Sequence, residues 1–163
     1  KVPKSLKKLL KRKKFDIRVN MNFEKTISYC AQNIYRESSW INSQIKENYI
    51  KLFKIGKAKS IECYENKELV GGLYGLVIGK IFCGESMFSL KTNSSKITMV
   101  YLAAYLKEGG FKYIDTQFYT NHLEQFGTEK IKKEKYLEIL SKYGRKEVKF
   151  PNKINSNVLD YFE

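Results

Sequence analysis

LVGGLYGLVIGKIFCGESMFS, residues 69–89, is the stretch on which the fold turns. Residues 69–78 are rich in Leu, Val, Tyr and Ile and read as a long strand. Gly79-Lys80 is a turn, and Ile81-Phe82-Cys83 starts the next strand. Upstream, Ser60-Ile61-Glu62-Cys63-Tyr64 alternates apolar and polar residues, and Glu65-Asn66-Lys67-Glu68 has the composition of a hairpin turn. Residues 58–82 therefore read as a meander of strands. Gly71, Gly72 and Gly75 lie inside it. Glycine weakens a strand unless another backbone or a ligand must come close, so these three point to a site here.

Helical spacing flanks the meander on both sides. Residues 23–34 show it, as do residues 42–55, where Ile45, Tyr49 and Leu52 share a face and Gly56 provides the stop. Between the first basic segment and these helices, residues 15–19 alternate like a half-buried strand. Downstream, residues 95–107 place Met99, Leu102, Ala103 and Leu106 on one helical face, and Gly109-Gly110 ends that helix. Residues 111–117 read as a buried strand with Asp115 near its C-terminal end. Tyr136, Leu137 and Leu140 indicate a last helix, and residues 151–163 form a polar tail without an assigned structure. Helices, a meander, then helix–strand–helix imply an α+β or mixed α/β fold of at most three layers, in one domain spanning residues 1–163.

Thirty-one Lys and Arg against seventeen Asp and Glu give a net charge of +14, which draws polyanions without choosing between RNA, DNA and an anionic membrane. An A+T-rich genome also yields Lys-rich and Asn-rich chains. The charge is uneven. Residues 1–14 hold eight bases and no acid, and residues 130–149 hold eight bases against three acids. Pro3 suits a first helical turn, with Leu6, Leu9 and Leu10 at helical spacing and Lys4, Lys7, Lys8 and Lys11 on other faces. The result is a short basic amphipathic helix. A membrane-surface role is its rival, but three leucines and a valine make a thin apolar face.

Hydrophobic residues at 42% and aromatics at 14% exclude a disordered chain. Cys30, Cys63 and Cys83 with the single His122 assemble no zinc pattern and are read as free thiols of a reducing compartment. No apolar run approaches the ~20 residues of a membrane span, and the basic start lacks the apolar core of a secretory signal. A cytoplasmic protein without membrane attachment is expected.

Several blocks carry a family resemblance. WIN at residues 40–42, LVGGLYG at 69–75, FCGESMFS at 82–89, SK at 95–96, and IDTQ at 114–117 followed by His122-Leu123 look like the leucyl/phenylalanyl-tRNA–protein transferase family in content, order and spacing. The likeness runs from about Lys4 to Leu140. It implies an acetyltransferase-like (GNAT-like) mixed sheet flanked by helices. It also implies transfer of an amino acid, Leu or Phe, from aminoacyl-tRNA to the N-terminal α-amine of an acceptor protein, which creates a degradation signal. The donor ester is already activated, so no cofactor, ATP or metal is called for.

The resemblance also implies roles for individual residues. Asp115 and Gln117 are the catalytic pair that orients the amine and assists proton transfer; two apart on a strand, they are expected to share a face. The residue-level alternative is that Asp115 caps the following helix. Glu85, with Asp115, binds the basic N-terminal residue of the acceptor; its alternative is a solvated loop glutamate. Leu73, Phe82 and Met87 line the donor's side-chain pocket, where the alternative is plain core. Trp40 stacks on the terminal adenosine, with Tyr49 walling that site. Lys4, Lys7, Lys8, Lys11 and Arg12 hold the acceptor stem through its phosphates. The partners implied are aminoacyl-tRNA and an acceptor protein or peptide N-terminus, and the chain is expected to be a monomer.

The sequence departs from the family in places. Family members generally carry a longer N-terminal segment, and this chain is read as either a reduced form or a fragment. Ile131-Lys132-Lys133 stands for Ile-Pro-Arg, Gln125-Phe126-Gly127-Thr128 for Ser-Leu-Gly-Ala, and Leu73 where Met is common. These changes leave arginyl transfer to acidic N-termini open as a second specificity. Two further alternatives are a CoA-dependent N-acetyltransferase and a non-catalytic RNA-binding module. The glycine turn that cradles pyrophosphate in acetyltransferases is missing before Ser95, and charge alone does not explain the FCGESMFS and IDTQ blocks.

Overall fold

The computed structural model describes residues 2–32 and 39–162. Five strands form one sheet in sequential order: β1 (Asp16–Val19), β2 (Ala58–Glu65), β3 (Glu68–Ile78), β4 (Ile81–Ser89) and β5 (Tyr113–Asp115). The first four are antiparallel neighbours, and β5 joins β4 in parallel. The β2–β3 hairpin turns on Asn66 and Lys67, both at positive φ (51° and 70°), the mirror-image turn whose twist matches the strands. A parallel pair needs a crossover, and α4 (Ser94–Glu108) supplies it.

On one face of the sheet lie α2 (Phe23–Ala31) and α3 (Ser43–Lys54). They pack around Ala58, Tyr64, Leu69, Tyr74 and Phe88. Asn22 caps α2 and Asn42 caps α3, each accepting a hydrogen bond from the backbone three residues on. The fully buried Glu62 of β2 holds the start of α2 in place. Its Oε1 accepts from the Asn22 amide (2.8 Å) and the Ser60 hydroxyl (2.8 Å), and its Oε2 from the Tyr64 hydroxyl (3.0 Å). The helical reading from Phe23 runs to Ile34, whose position lies outside the described residues.

On the other face, α4 packs Met99, Leu102, Tyr105 and Leu106 against Ile61, Leu73 and Phe82. Its opposite side meets α1 (Lys4–Lys11) and the C-terminal tail, where Ile97, Val100 and Ala104 contact Leu6, Leu10, Val158 and Leu159. Helix α4 is thus covered on both sides, which corrects the single apolar face read from its spacing. The tail is likewise not simply polar: Val158 and Leu159 are core, and Asp160–Phe162 forms a 3-10 turn. The expected strand over residues 111–117 shrinks to three residues, since Tyr113 is exposed and the chain turns away after Asp115.

The N-terminus of α4 is seated on the sheet by Ser94. Its hydroxyl bonds the carbonyls of Val70 (3.0 Å) and Lys91 (2.8 Å) and meets the Ser89 hydroxyl (2.9 Å). Position 71 must be glycine for this approach, because a Cβ there would lie 2.4 Å from the Ser94 Oγ. A short α5 (Asn121–Glu124) follows β5, and α6 (Lys133–Tyr143) returns to the face that carries α2 and α3. Its inward stripe is Tyr136, Ile139, Leu140 and Tyr143, whereas the expected Leu137 is half exposed. Among the described residues, no helix is long and apolar enough to cross a membrane.

Candidate active site

The parallel ladder between β4 and β5 is three pairs long and ends at Cys83 opposite Asp115. Beyond that pair β4 continues to Ser89 while the chain after Asp115 leaves the sheet. The strands part there, and the backbone groups of Gly84 are met by a side chain: Gln117 Nε2 donates to the Gly84 carbonyl at 3.2 Å. Gln117 has φ +60° and is not in the strand, so the expectation that it shares a strand face with Asp115 is not met. The two meet by another route. The Gln117 amide turns back and donates to Asp115 Oδ1 at 2.8 Å. Asp115 does not cap the next helix either, since Thr120 caps α5.

The second oxygen of Asp115 accepts from the Tyr136 hydroxyl, 2.7 Å away, across from α6. That hydrogen bond, with burial and the nearby carboxylate charge, raises the Tyr136 phenol above its usual range and keeps it a donor. Each carboxylate oxygen is therefore engaged once and retains a lone pair for an incoming donor. The motifs give Tyr136 no role beyond a place on a helix. Its spacing with Ile139, Leu140 and Tyr143, an i, i+3, i+4, i+7 stripe, is the signal that turns it inward.

Glu85 owes its position to a bulge. In the β3–β4 ladder Tyr74 pairs with Ser86 and Gly75 with Gly84, which leaves Glu85 as the extra residue. A bulge re-aims the side chain it carries. Here it leaves Glu85 near α3, close enough for its carboxylate to act on the Tyr49 hydroxyl. Burial and this contact raise the Tyr49 phenol. The Tyr49 ring stands edge-on to Tyr74 at 5.1 Å and to Trp40 at 6.5 Å. Trp40, immediately before α3, keeps 44% of its surface exposed, enough for a planar ligand to lie on it. The Cys83 thiol sits between the two acids. Burial first, then Asp115 and Glu85, push it up to about 12, so it remains a neutral thiol at physiological pH. Cys30, Cys63 and Cys83 are all buried.

The structure thus brings Asp115, Gln117 and Glu85 to the parting of β4 and β5, with Tyr49 near Glu85 and Trp40 next to Tyr49. Leu73, Phe82 and Met87 lie on the opposite, α4-facing side. Leu73 pairs with Met87 across the ladder and Phe82 packs on Phe150 (ring centroids 6.0 Å). Leu73 and Phe82 are fully buried core and Met87 is half buried. Lys4, Lys8, Lys11 and Arg12 are exposed on α1 and Lys7 is half buried, while Leu6 and Leu10 face α4.

The backbone resembles solved acetyltransferases. An aminoglycoside acetyltransferase from an uncultured soil metagenomic sample superposes over 87% of this chain and 97% of its own, with a TM-score of 0.51 and 13% identity. An aminoglycoside N-acetyltransferase solved with CoA gives 0.51 over 87% of this chain and 94% of its own, at 9% identity. At such identities these show the acetyltransferase-like fold and no more.

Sequence relatives are nearer. The protein named leucyl/phenylalanyl-tRNA–protein transferase of Paramagnetospirillum magneticum is 45% identical over 141 residues, 86% of this chain and 68% of the relative. Those of Flavobacterium johnsoniae and Akkermansia muciniphila are 44% and 42% identical, with 85% and 86% of this chain aligned to 66% and 73% of theirs. The chain therefore spans about two thirds of the length of the relatives it matches. The profile described as leucyl/phenylalanyl-tRNA protein transferase matches residues 1–141, from the basic helix through most of α6, and by that match the chain belongs to this family.

Proposed function

We propose that this protein transfers leucine or phenylalanine from charged tRNA to the α-amine of an acceptor polypeptide. The observation that carries the reading is the pairing of two carboxylates at one break in the sheet. Asp115 accepts from two donors, and Glu85 sits at a bulge beside Tyr49, whose ring is next to the exposed Trp40. The names and shared sequence of the relatives supply the substrate class.

In the reaction the acceptor amine attacks the ester carbonyl carbon. A C–N bond forms, the bond to the tRNA 3′ ribose oxygen breaks, and the amine's proton passes to that oxygen. An α-amine has a pKa near ~7.7–8.0, so a carboxylate that holds it and takes its proton assists. Asp115 is suited to this through its free lone pairs. Gln117 Nε2, after donating to Gly84, has a second hydrogen for the developing oxyanion. Glu85 attracts a basic first residue of the acceptor. Trp40 offers a stacking face to the terminal adenosine, an interaction of roughly 1–3 kcal/mol. Met87, half buried on the α4 side, is the member of the apolar trio open to the donor's side chain, with Leu73 and Phe82 backing it from the core, and the exposed cations of α1 hold the tRNA phosphates. The product's new N-terminal Leu or Phe then serves as a degradation signal.

An acetyltransferase reading shares the fold, but residues 90–93, which lead into α4, contain no glycine to cradle a pyrophosphate. The test is transfer of labelled leucine from leucyl-tRNA to a peptide beginning with Lys. The wild-type chain is expected to label the peptide, and Asp115→Ala to reduce kcat by at least roughly 100-fold with tRNA binding unchanged. Equal turnover by Asp115→Ala removes that residue from the chemistry. Trp40→Ala is expected to raise the donor KM roughly tenfold, and an unchanged value removes the stacking role.

A further inference from the structure

We infer that Tyr136 is a positioning residue for the transfer reaction, a brace that fixes the Asp115 carboxylate from α6. The inference rests on the transferase reading above and names a residue that reading does not require. Asp115 is the last residue of a three-residue edge strand, and the chain leaves the sheet directly after it. Among the described residues, only the Gln117 amide and the Tyr136 hydroxyl hold its side chain, at 2.8 and 2.7 Å. The first comes from the same turn and moves with it. The second comes from a separate element, so it alone ties the carboxylate to the body of the fold.

Helix α6 is built to deliver that hydroxyl at a fixed height. Its C-terminal end is anchored where the Tyr143 carbonyl accepts from the Lys80 amide at 3.0 Å, in the β3–β4 turn. The fit is close, for a Cβ at Gly79 would lie 2.2 Å from that carbonyl oxygen, and Gly79 has φ +55°. The ring of Tyr143 also packs on Tyr113 of β5 (centroids 5.5 Å). Between the ends, Ile139 and Leu140 pack on Ile81 and Cys83. Two turns separate Tyr143 from Tyr136 on the same stripe, so the anchor sets where the Tyr136 hydroxyl meets Asp115.

A carboxylate free to rotate presents its lone pairs to an amine for only part of the time, and small misplacements of a reacting group are costly. Tyr136→Phe keeps the ring and removes the donor. It is expected to lower kcat for transfer roughly 10- to 100-fold with the aminoacyl-tRNA KM unchanged, and to cost nothing further in an Asp115→Asn background. Wild-type turnover by Tyr136→Phe, or the same loss with and without Asp115, overturns the brace. A readout independent of activity is the Gln117 amide resonance in the protein without tRNA. It is expected to shift in Tyr136→Phe as it does in Asp115→Asn, and an unmoved resonance also overturns the inference. A wild-type chain that transfers nothing would remove the transferase reading instead, and the Gln117 resonance would then decide the brace by itself.

Discussion

Asp115 and Glu85 flank the same break in the sheet, but their surroundings suit them to different tasks. Asp115 accepts from two donors, whereas Glu85 lies near one aromatic hydroxyl, that of Tyr49. Glu85→Gln retains a group that can accept from Tyr49 and loses the charge. It should raise the KM for peptides beginning with Lys or Arg roughly tenfold while leaving the donor KM unchanged; equal KM values would remove Glu85 from acceptor recognition. The lone His122 makes a second prediction at this scale. Burial, then Lys96, lower its pKa from 6.5, and its buried Nε2 has no partner among the described residues. The unfolded chain takes up this proton first as the pH falls, so stability present above about pH 6.5 is lost below it. Urea midpoints measured at pH 7.5 and 5.5 should differ less for His122→Gln than for wild type, and an equal drop would contradict the assignment. The acids at this break are legible in the sequence because they sit in specific motifs. The bonds between them are not, since Gln117 reaches Asp115 through a positive-φ turn and Tyr136 comes from twenty-one residues away.

Among the elements, the strands, hairpin and helix caps follow from local chemistry and can be read directly. Asn22 and Asn42 cap, Asn66 and Lys67 turn, and Gly56 stops α3. What local pattern does not show is how elements cover one another. The burial of α4 on both sides depends on α1 and a tail with only two buried apolar residues. The β4 bulge and the early end of β5 are set by pairing partners, not by their own sequences. The seat of α4 gives a stability prediction. Gly71→Ala places a Cβ 2.4 Å from the Ser94 Oγ and 3.2 Å from its backbone carbonyl carbon, so α4 must shift. A loss of roughly 1–3 kcal/mol is expected from urea denaturation, and an unchanged midpoint would show that the seat is loose. The exposed cations of α1 give another. Lys4, Lys8 and Lys11 changed together to Ala should flatten the salt dependence of tRNA binding by about 0.7–0.9 in log–log slope for each phosphate no longer neutralised, and an unchanged slope would place the RNA elsewhere.

For the whole molecule, the mixed sheet separates the candidate site residues by face. The carboxylates and Trp40 lie toward α3 and α6, and the apolar trio lies toward α4. The fold class follows from the order of elements, and its acetyltransferase-like form from motif resemblance. Donor and acceptor identities do not follow, because Leu73 and residues 125–133 depart from the family pattern around the site. The most direct test offers leucyl-, phenylalanyl- and arginyl-tRNA in turn with peptides beginning Arg, Lys, Asp or Glu, and reads the mass of each peptide. The account predicts products one leucine or phenylalanine heavier, confined to peptides beginning Arg or Lys. Arginine added to Asp or Glu peptides, or no product from any pair while tRNA is still bound, would contradict it.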